Sequence, residues 1–156
     1  MENKYVKPHS LLRMLGALLA IVVFVSMFIT KQAVNPEEAS RDFYSFPGAF
    51  FGDEFCKGNV LGFIGYLFVL LGGLAGLAFV FIDEIIGKDL TKKLSFVAGG
   101  VAALGAIAIL LFVPVFNGIN NFDHLTVDAA SIVFGVIGLA VGCLNIAAPI
   151  LEGKGQ

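Results

Sequence analysis

A small group of ionisable side chains near the end of the third apolar run, Asp123, His124 and Asp128, is the best candidate in the sequence for a metal site. Carboxylate oxygen and imidazole nitrogen bind several divalent cations, and Asp53 and Glu54 of an earlier loop are able to join them. A single histidine beside two aspartates in an external turn is more often hydrated surface. We therefore expect no metal ion at these residues.

Motifs that carry catalysis or hold a cofactor are missing from the sequence. It contains no CxxC pair, no HExxH, no phosphate-binding glycine loop and no GxSxG turn. Cys143 lies about 14 residues inside the fourth apolar segment, roughly 21 Å of helix from the level of Cys56. A disulfide requires Cα atoms within about 7 Å, so the two cysteines are not expected to pair. We predict that the protein is not an enzyme, with no catalytic, cofactor-binding or metal-binding residues.

Ionisable residues inside a membrane span usually mark a transport path or a proton relay. We expect none inside the four apolar segments, because Arg13 is near enough to an end to reach the membrane interface. Asp83 and Glu84 close the second segment, where Glu84 can pair with Lys88. Asn145 is the polar residue of greatest interest, because an amide in hydrocarbon needs a partner. We expect it to form a hydrogen bond across helices.

Four apolar segments position these residues. The length of each segment is close to the roughly 20 residues that a helix needs to cross a bilayer. Hydrophobic residues make up 58% of the 156-residue chain and charged residues 14%, and a small soluble domain could not bury that much apolar surface. The sequence therefore predicts an all-α membrane protein: a four-transmembrane-helix bundle forming a single integral membrane domain over residues 1–156. The spans are expected at about 11–29, 60–82, 94–116 and 129–150.

Two prolines modify these spans. Pro114 lies near the outer end of the third span and is expected to kink it, because a proline frees a backbone carbonyl one turn earlier. Pro149 is expected to end the fourth span.

The distribution of Lys and Arg predicts the orientation of the spans. Seven lie in the N-terminal segment, the loop between spans two and three, and the C-terminal tail, against three in the long first loop. The seven are Lys4, Lys7, Arg13, Lys88, Lys92, Lys93 and Lys154, and the three are Lys31, Arg41 and Lys57. Because cytoplasmic loops carry the excess of basic residues, we expect a multi-pass protein with cytoplasmic N- and C-termini.

The external loop at residues 30–59 contains a predicted short amphipathic helix. Asn35 as N-cap, Pro36 at the first position and Glu38 at the third are typical of a helix start. The helix is expected to run to about Phe46 and to end at the breaker pair Pro47-Gly48.

Aromatic residues are unusually frequent in this external loop. The predicted interfacial or partner-binding residues are Phe43, Tyr44, Phe46, Phe50, Phe51 and Phe55. Our leading interpretation is that the rings lie in the outer membrane surface. The alternatives are a protein-binding patch, since exposed apolar clusters often mark interfaces, and a cap folded over the helix ends.

Small residues recur at helical spacing along two spans, and we predict that they pack helices together. In span four they fall at intervals of four, three, four and three, and span two has a similar register that includes a GxxxG. Small residues let membrane helices approach closely. We expect them to pack the bundle internally; the alternative is an intermolecular contact. They are Ser131, Gly135, Gly138, Gly142 and Asn145 in span four, and Gly62, Gly65, Gly72 and Gly76 in span two.

The layout of four spans, internal termini and a longer first outer loop is similar to that of claudin-type tetraspan proteins. Their first loop carries a tryptophan-containing motif and a cysteine pair, whereas this chain has no tryptophan and has Cys56 alone there. The resemblance is one of layout, and no residue roles follow from it.

The expected function is that of a small, non-enzymatic polytopic membrane protein acting by association, as an accessory, scaffold or assembly subunit. Its expected partners are the lipid bilayer and other membrane proteins or further copies of itself. A net charge of -2 leaves no basic surface for nucleic acid. The alternative is a small channel or transporter whose path forms between protomers.

Overall fold

The computed structural model describes residues 7–37, 43–54 and 56–154 of the chain. In chain order the elements are helix α1 (Pro8–Ser26), strands β1 (Lys31–Val34) and β2 (Phe43–Ser45), helices α2 (Gly48–Phe51), α3 (Val60–Ile86), α4 (Lys88–Leu110) and α5 (Phe112–Asn120), strand β3 (Thr126–Val127) and helix α6 (Ala129–Lys154). The four helices α1, α3, α4 and α6 are each long and apolar enough to cross a membrane. Each of the four predicted segments therefore contains a helix of the required length and apolarity, although the third helix ends at Leu110 and not at about residue 116.

The four long helices pack side by side into a helical core. α1 contacts α3 and α6, and α4 contacts the same two helices from the other side. The centre of this core is made of small and β-branched side chains, including Ala20, Val69, Ala102 and Val141, all fully buried. Such side chains fill the space between close helices without polar groups.

The two ends of the helical core differ in structure. At one end, here called the termini end, α1 begins, α6 ends, and α3 turns into α4 at Gly87. Gly87 has a φ of 85°, which glycine adopts without a Cβ clash, so the chain reverses within one residue. The other end, the sheet end, carries a three-stranded antiparallel sheet in the order β2-β1-β3. Ala33 pairs with Val127 in this sheet, so it joins the loop after α1 to the loop before α6.

The external loop differs from the predicted amphipathic helix. Phe43–Ser45, expected to be the last turns of that helix, is strand β2 paired with β1, and residues 38–42 lie outside the described part of the chain. A four-residue helix, Gly48–Phe51, begins at the Pro47-Gly48 pair where the predicted helix was to end. Local capping residues predicted a helix here, but the strand partner comes from a distant part of the loop.

The prolines act differently from expectation. The third apolar run is broken at Leu111 rather than kinked at Pro114, because Pro114 has no N–H to donate to the Leu110 carbonyl. The prediction that Pro149 ends the fourth span is wrong. Pro149 lies inside α6, which continues to Lys154, so the proline removes one backbone hydrogen bond without ending the helix.

Glycines occupy the places where helix backbones approach most closely. A Cβ built on Gly72 would lie 2.6 Å from the Ala98 carbonyl oxygen of α4, and one on Gly142 would lie 2.8 Å from the Gly99 carbonyl oxygen. The other predicted packing glycines also face neighbouring elements rather than open space. Gly62 faces the rings of Phe50 and Phe112, Gly65 faces Gly105, Gly135 faces Leu110, and Gly138 faces Ala106 and Val69.

Asn145 fits against the GxxxG of α3. Its amide nitrogen donates to the Gly72 carbonyl at 3.1 Å, and its side chain is fully buried. A Cβ added to Gly76 would collide with the Asn145 side-chain oxygen. The two glycines thus leave space for the Asn145 side chain of α6. Its amide forms a hydrogen bond across helices, as predicted from the sequence.

Gly76→Ala should lower the stability of the protein by about 1–3 kcal/mol, because the added methyl overpacks the site that holds Asn145. The matched control is Gly100→Ala, since a Cβ at Gly100 of α4 meets nothing within 4 Å. Thermal unfolding in detergent would compare the two variants. An equal unfolding temperature for the two variants would contradict the close packing of Asn145 against Gly76.

Candidate functional site

Arg13 of α1 lies inside the helical core at its termini end. Only 1% of the residue is exposed. Its Nη2 donates to Ser95 Oγ of α4 at 3.3 Å and lies 3.6 Å from Glu152 Oε2 of α6. The carboxylate of Asp83 on α3 attracts the same guanidinium. One charged side chain therefore interacts with residues of all three other long helices.

The burial of Arg13 contradicts the expectation that its side chain reaches the membrane interface. The guanidinium Nε and Nη1 are buried and donate a hydrogen bond to no acceptor among the described residues. Removing a charge from water costs several kcal/mol unless opposite charges compensate it. Glu152 supplies that compensation from α6 and Asp83 from α3. The signal in the sequence was that both carboxylates occur at the same end of their spans as Arg13.

A second polar cluster lies inside the sheet end. Tyr66 of α3 is fully buried, and its hydroxyl donates to Gln32 Oε1 of β1 at 3.1 Å. Gln32 Nε2 in turn donates to Thr30 Oγ1 at 2.9 Å. Ser131, a predicted packing residue, donates its hydroxyl to the Lys31 carbonyl at 3.0 Å. These bonds fix β1 onto α3 and α6. No local sequence pattern indicated that Gln32 or Tyr66 has this role.

Phe50 closes the sheet end of the helical core. It is fully buried, and its ring centroid lies 5.3 Å from that of Phe112, 6.0 Å from Tyr66 and 6.4 Å from Phe63. The short helix α2 thus inserts an aromatic side chain between the ends of the long helices. This position matches the cap alternative for Phe50, and it keeps the ring away from any surface open to lipid or a partner.

The other aromatic residues of the external loop divide into packed and exposed ones. Tyr44 packs on Phe116 with centroids 5.1 Å apart, and Phe46 packs on Phe28 at 4.7 Å. Phe43 and Phe51 are 41% and 55% exposed. Phe55 lies outside the described residues.

Asparagine side chains hold the loops to each other. Asn120 accepts from the Lys57 N–H at 2.6 Å and donates to the Lys57 carbonyl at 3.0 Å. These two hydrogen bonds join the end of α5 to the loop before α3. Asn59 caps the start of α3 and also donates to the Phe112 carbonyl at 3.0 Å. The aromatic cap that Phe50 forms over the sheet end is therefore fixed to both α3 and α5.

Two of the carboxylates considered for a metal site accept hydrogen bonds from nearby backbone N–H groups. Asp128 accepts from the Ala130 N–H at 3.0 Å at the start of α6, and Asp53 accepts from the Cys56 N–H at 3.0 Å. Asp123 and His124 form an exposed pair 3.5 Å apart. Burial raises the pKa of the Cys56 thiol, the thiol's own hydrogen bond to Asp53 and the negative charge of Asp53 raise this pKa further, and the backbone hydrogen bond to Asp53 lowers it by less. The thiolate, which is the reactive form, is thereby disfavoured.

Comparison of the chain with protein-family models, with curated proteins and with solved structures finds no match.

Arg13→Gln should destabilise the protein by about 3–5 kcal/mol, because it leaves the Glu152 and Asp83 carboxylates without their buried cation. Glu152→Gln should cost less, since the Glu152 side chain is 18% exposed and its charge is partly hydrated. Denaturation in detergent would measure both, with the exposed Lys93→Gln as a control for loss of one positive charge. If Arg13→Gln unfolds at the same midpoint as Lys93→Gln, the buried guanidinium is not a stabilising centre.

Proposed function

We propose that this protein is a non-enzymatic, multi-pass membrane protein that acts by association with other membrane proteins or with further copies of itself. In this proposal the four long helices form a bundle in the bilayer, and the chain serves as an accessory, scaffold or assembly subunit. The main observation that supports this proposal is that side chains of the protein itself fill both ends of the helical core, while aromatic side chains remain exposed beside the sheet.

The filled sheet end supports a role outside the helical core. Phe50 packs among Phe112, Tyr66 and Phe63, and it has no exposed surface. The polar groups beneath it bond to each other, as Tyr66 does to Gln32. A solute entering from this end would have to displace a close-packed ring and break buried hydrogen bonds.

The filled termini end supports the same proposal. Arg13 lies among Ser95, Glu152 and Asp83, so its charge serves to hold helices together. Between the two ends the core is packed by apolar side chains such as Ala20 and Val141. A path for ions or solutes through one protomer would need polar lining across this apolar layer.

The exposed aromatic residues are the surface we assign to association. Phe43 lies on edge strand β2, with the Lys31 ammonium 4.3 Å from its ring centroid, and Phe51 ends α2 close by. Exposed aromatic rings beside a fixed loop are typical of contact surfaces, because they bury large area at little entropic cost. Phe51 packs on Phe46, and Phe43 pairs with Val34 of β1, so the two exposed rings are held in place.

The second candidate is a channel or transporter whose path forms between protomers. Arg13 favours it, because a buried ionisable residue in a membrane helix often marks a transport site. Solute or ion flux through proteoliposomes that contain the purified protein distinguishes this function, since the association function requires no flux.

Phe43→Ser combined with Phe51→Ser should reduce association while leaving the fold intact, because both side chains are exposed. The measurement is the mass of the complex extracted in mild detergent, by size-exclusion chromatography with light scattering, together with identification of any co-extracted protein. Leu71→Ser and Leu74→Ser are a matched control pair of exposed apolar residues on α3, away from the loop. A double variant that keeps the wild-type complex and a wild-type unfolding temperature would contradict the assignment of this surface.

We also propose that both termini are cytoplasmic, which the excess of Lys and Arg at the termini end supports. In a Cys56→Ala, Cys143→Ala background, an impermeant thiol reagent should label Asp123→Cys in intact cells and Lys92→Cys only after permeabilisation. Asp123 and Lys92 are both exposed, so differential labelling reports the side of the membrane rather than burial. The reverse pattern would overturn the orientation.

A further inference from the structure

We propose that the buried guanidinium of Arg13 binds ordered water at the termini end of the helical core, and that this water enters beside Glu152. Arg13 lies between α1, α4 and α6, with its Nη2 3.3 Å from Ser95 Oγ and 3.6 Å from Glu152 Oε2. The site is at the opposite end of the helical core from the exposed rings of Phe43 and Phe51, so it is independent of the association function.

Two N–H groups of Arg13 point to this ligand. Nε and Nη1 are both buried, and neither donates to an acceptor among the residues that the structure describes. The whole residue is 1% exposed, so bulk solvent does not surround the guanidinium. A buried donor without an acceptor costs free energy, and the cost is higher for a charged group. Ordered water is the usual partner of buried polar groups that the protein itself does not satisfy.

The charges around the guanidinium favour a neutral ligand. The carboxylates of Glu152 and Asp83 both attract Arg13, so these three side chains together carry an excess of negative charge. A further anion would be repelled by the two carboxylates, and a metal cation would find no lone pair on a guanidinium. Water carries no net charge. Its oxygen accepts from an N–H of Arg13, and its hydrogens are free to donate to a carboxylate oxygen.

Glu152 connects this site to solvent. Its side chain is 18% exposed, although it lies against the buried Arg13. It also lines a depression of about 170 Å³ between the start of α4 and the end of α6, and this volume holds several water molecules at roughly 30 Å³ each. The depression has two lysines and two carboxylates in its lining, which consists of Lys88, Asp89, Lys92, Pro149, Glu152 and Gly153. Glu152 therefore brings a hydrated carboxylate next to the guanidinium.

The water stops before the middle of the helical core. Ala20 of α1 is fully buried, and a Cβ added to Gly73 of α3 would collide with it, so the two helices leave no room for water there. The amide oxygen of Asn145 also has no donor among the described residues. A Cβ added to Gly76 would collide with this oxygen, so no water fits between them. We therefore expect a hydrated guanidinium at Arg13 and a dry amide at Asn145.

The test is solution NMR of the full-length protein in detergent, with isotope-labelled arginine and asparagine side chains. Arg41 is the only other arginine in the sequence, so an Arg41→Lys background leaves a single Nε–H signal. At neutral pH this signal should persist, because burial slows its exchange with bulk water. It should also show a nuclear Overhauser cross-peak to water, with the sign of long-lived bound water. The side-chain amide of Asn145 is equally buried and should show no such cross-peak.

Ser95→Ala is the control for indirect transfer, because the Ser95 hydroxyl exchanges protons with water and lies beside Arg13. The cross-peak should remain in this variant, and its disappearance would assign the signal to the hydroxyl instead of bound water. Three other results would overturn the proposal. A persistent Nε–H signal without a water cross-peak would show a dry guanidinium. Exchange as fast as in an unstructured arginine peptide would show that bulk solvent reaches Arg13. Equal cross-peaks at Arg13 and Asn145 would show that the water continues into the middle of the helical core.

Discussion

A buried guanidinium fixes how the four long helices meet at the termini end. Arg13 of α1 donates to Ser95 of α4, pairs with Glu152 of α6 and attracts Asp83 of α3. Rotation or sliding of any of these helices would therefore break a hydrogen bond or separate opposite charges. In a bilayer, helices gain nothing from hydrophobic exclusion, and packing and polar contacts must select one arrangement. An unpaired charge in this environment is costly, which makes the correct arrangement of these helices strongly preferred over others.

In the rest of the helical core, the packing depends on the close approach of helix backbones. The glycine contacts between α3 and α4 and between α4 and α6 bring backbones near each other, and the GxxxG of α3 receives Asn145 from α6. At the sheet end, Tyr66 and Gln32 bond the loop to α3, and Phe50 fills the space above them. Polar bonds near both ends and small side chains in the middle thus specify one packing.

The sequence predicted those features that depend on local composition. Four apolar runs gave four helices, because hydrophobicity over about 20 residues is sufficient to identify a span, and small residues at helical spacing occur where helices touch. The inward direction of Arg13 could not be predicted, since it depends on which helices surround α1. The strand at Phe43–Ser45 was missed for the same reason: its partner β1 is outside the local segment, and the Asn35-Pro36 capping signal favoured a helix.

The position of the polar groups bears on function. A transport path through the bundle interior would place hydrated side chains across the middle of the spans, yet the middle is packed by Ala20, Val69 and Val141, and Asn145 is engaged by Gly72. The interior side chains instead pack against each other or form hydrogen bonds within the protein. In the proposed association function, the contact surface is therefore on the outside of the protein, at the sheet end, where Phe43 and Phe51 are exposed.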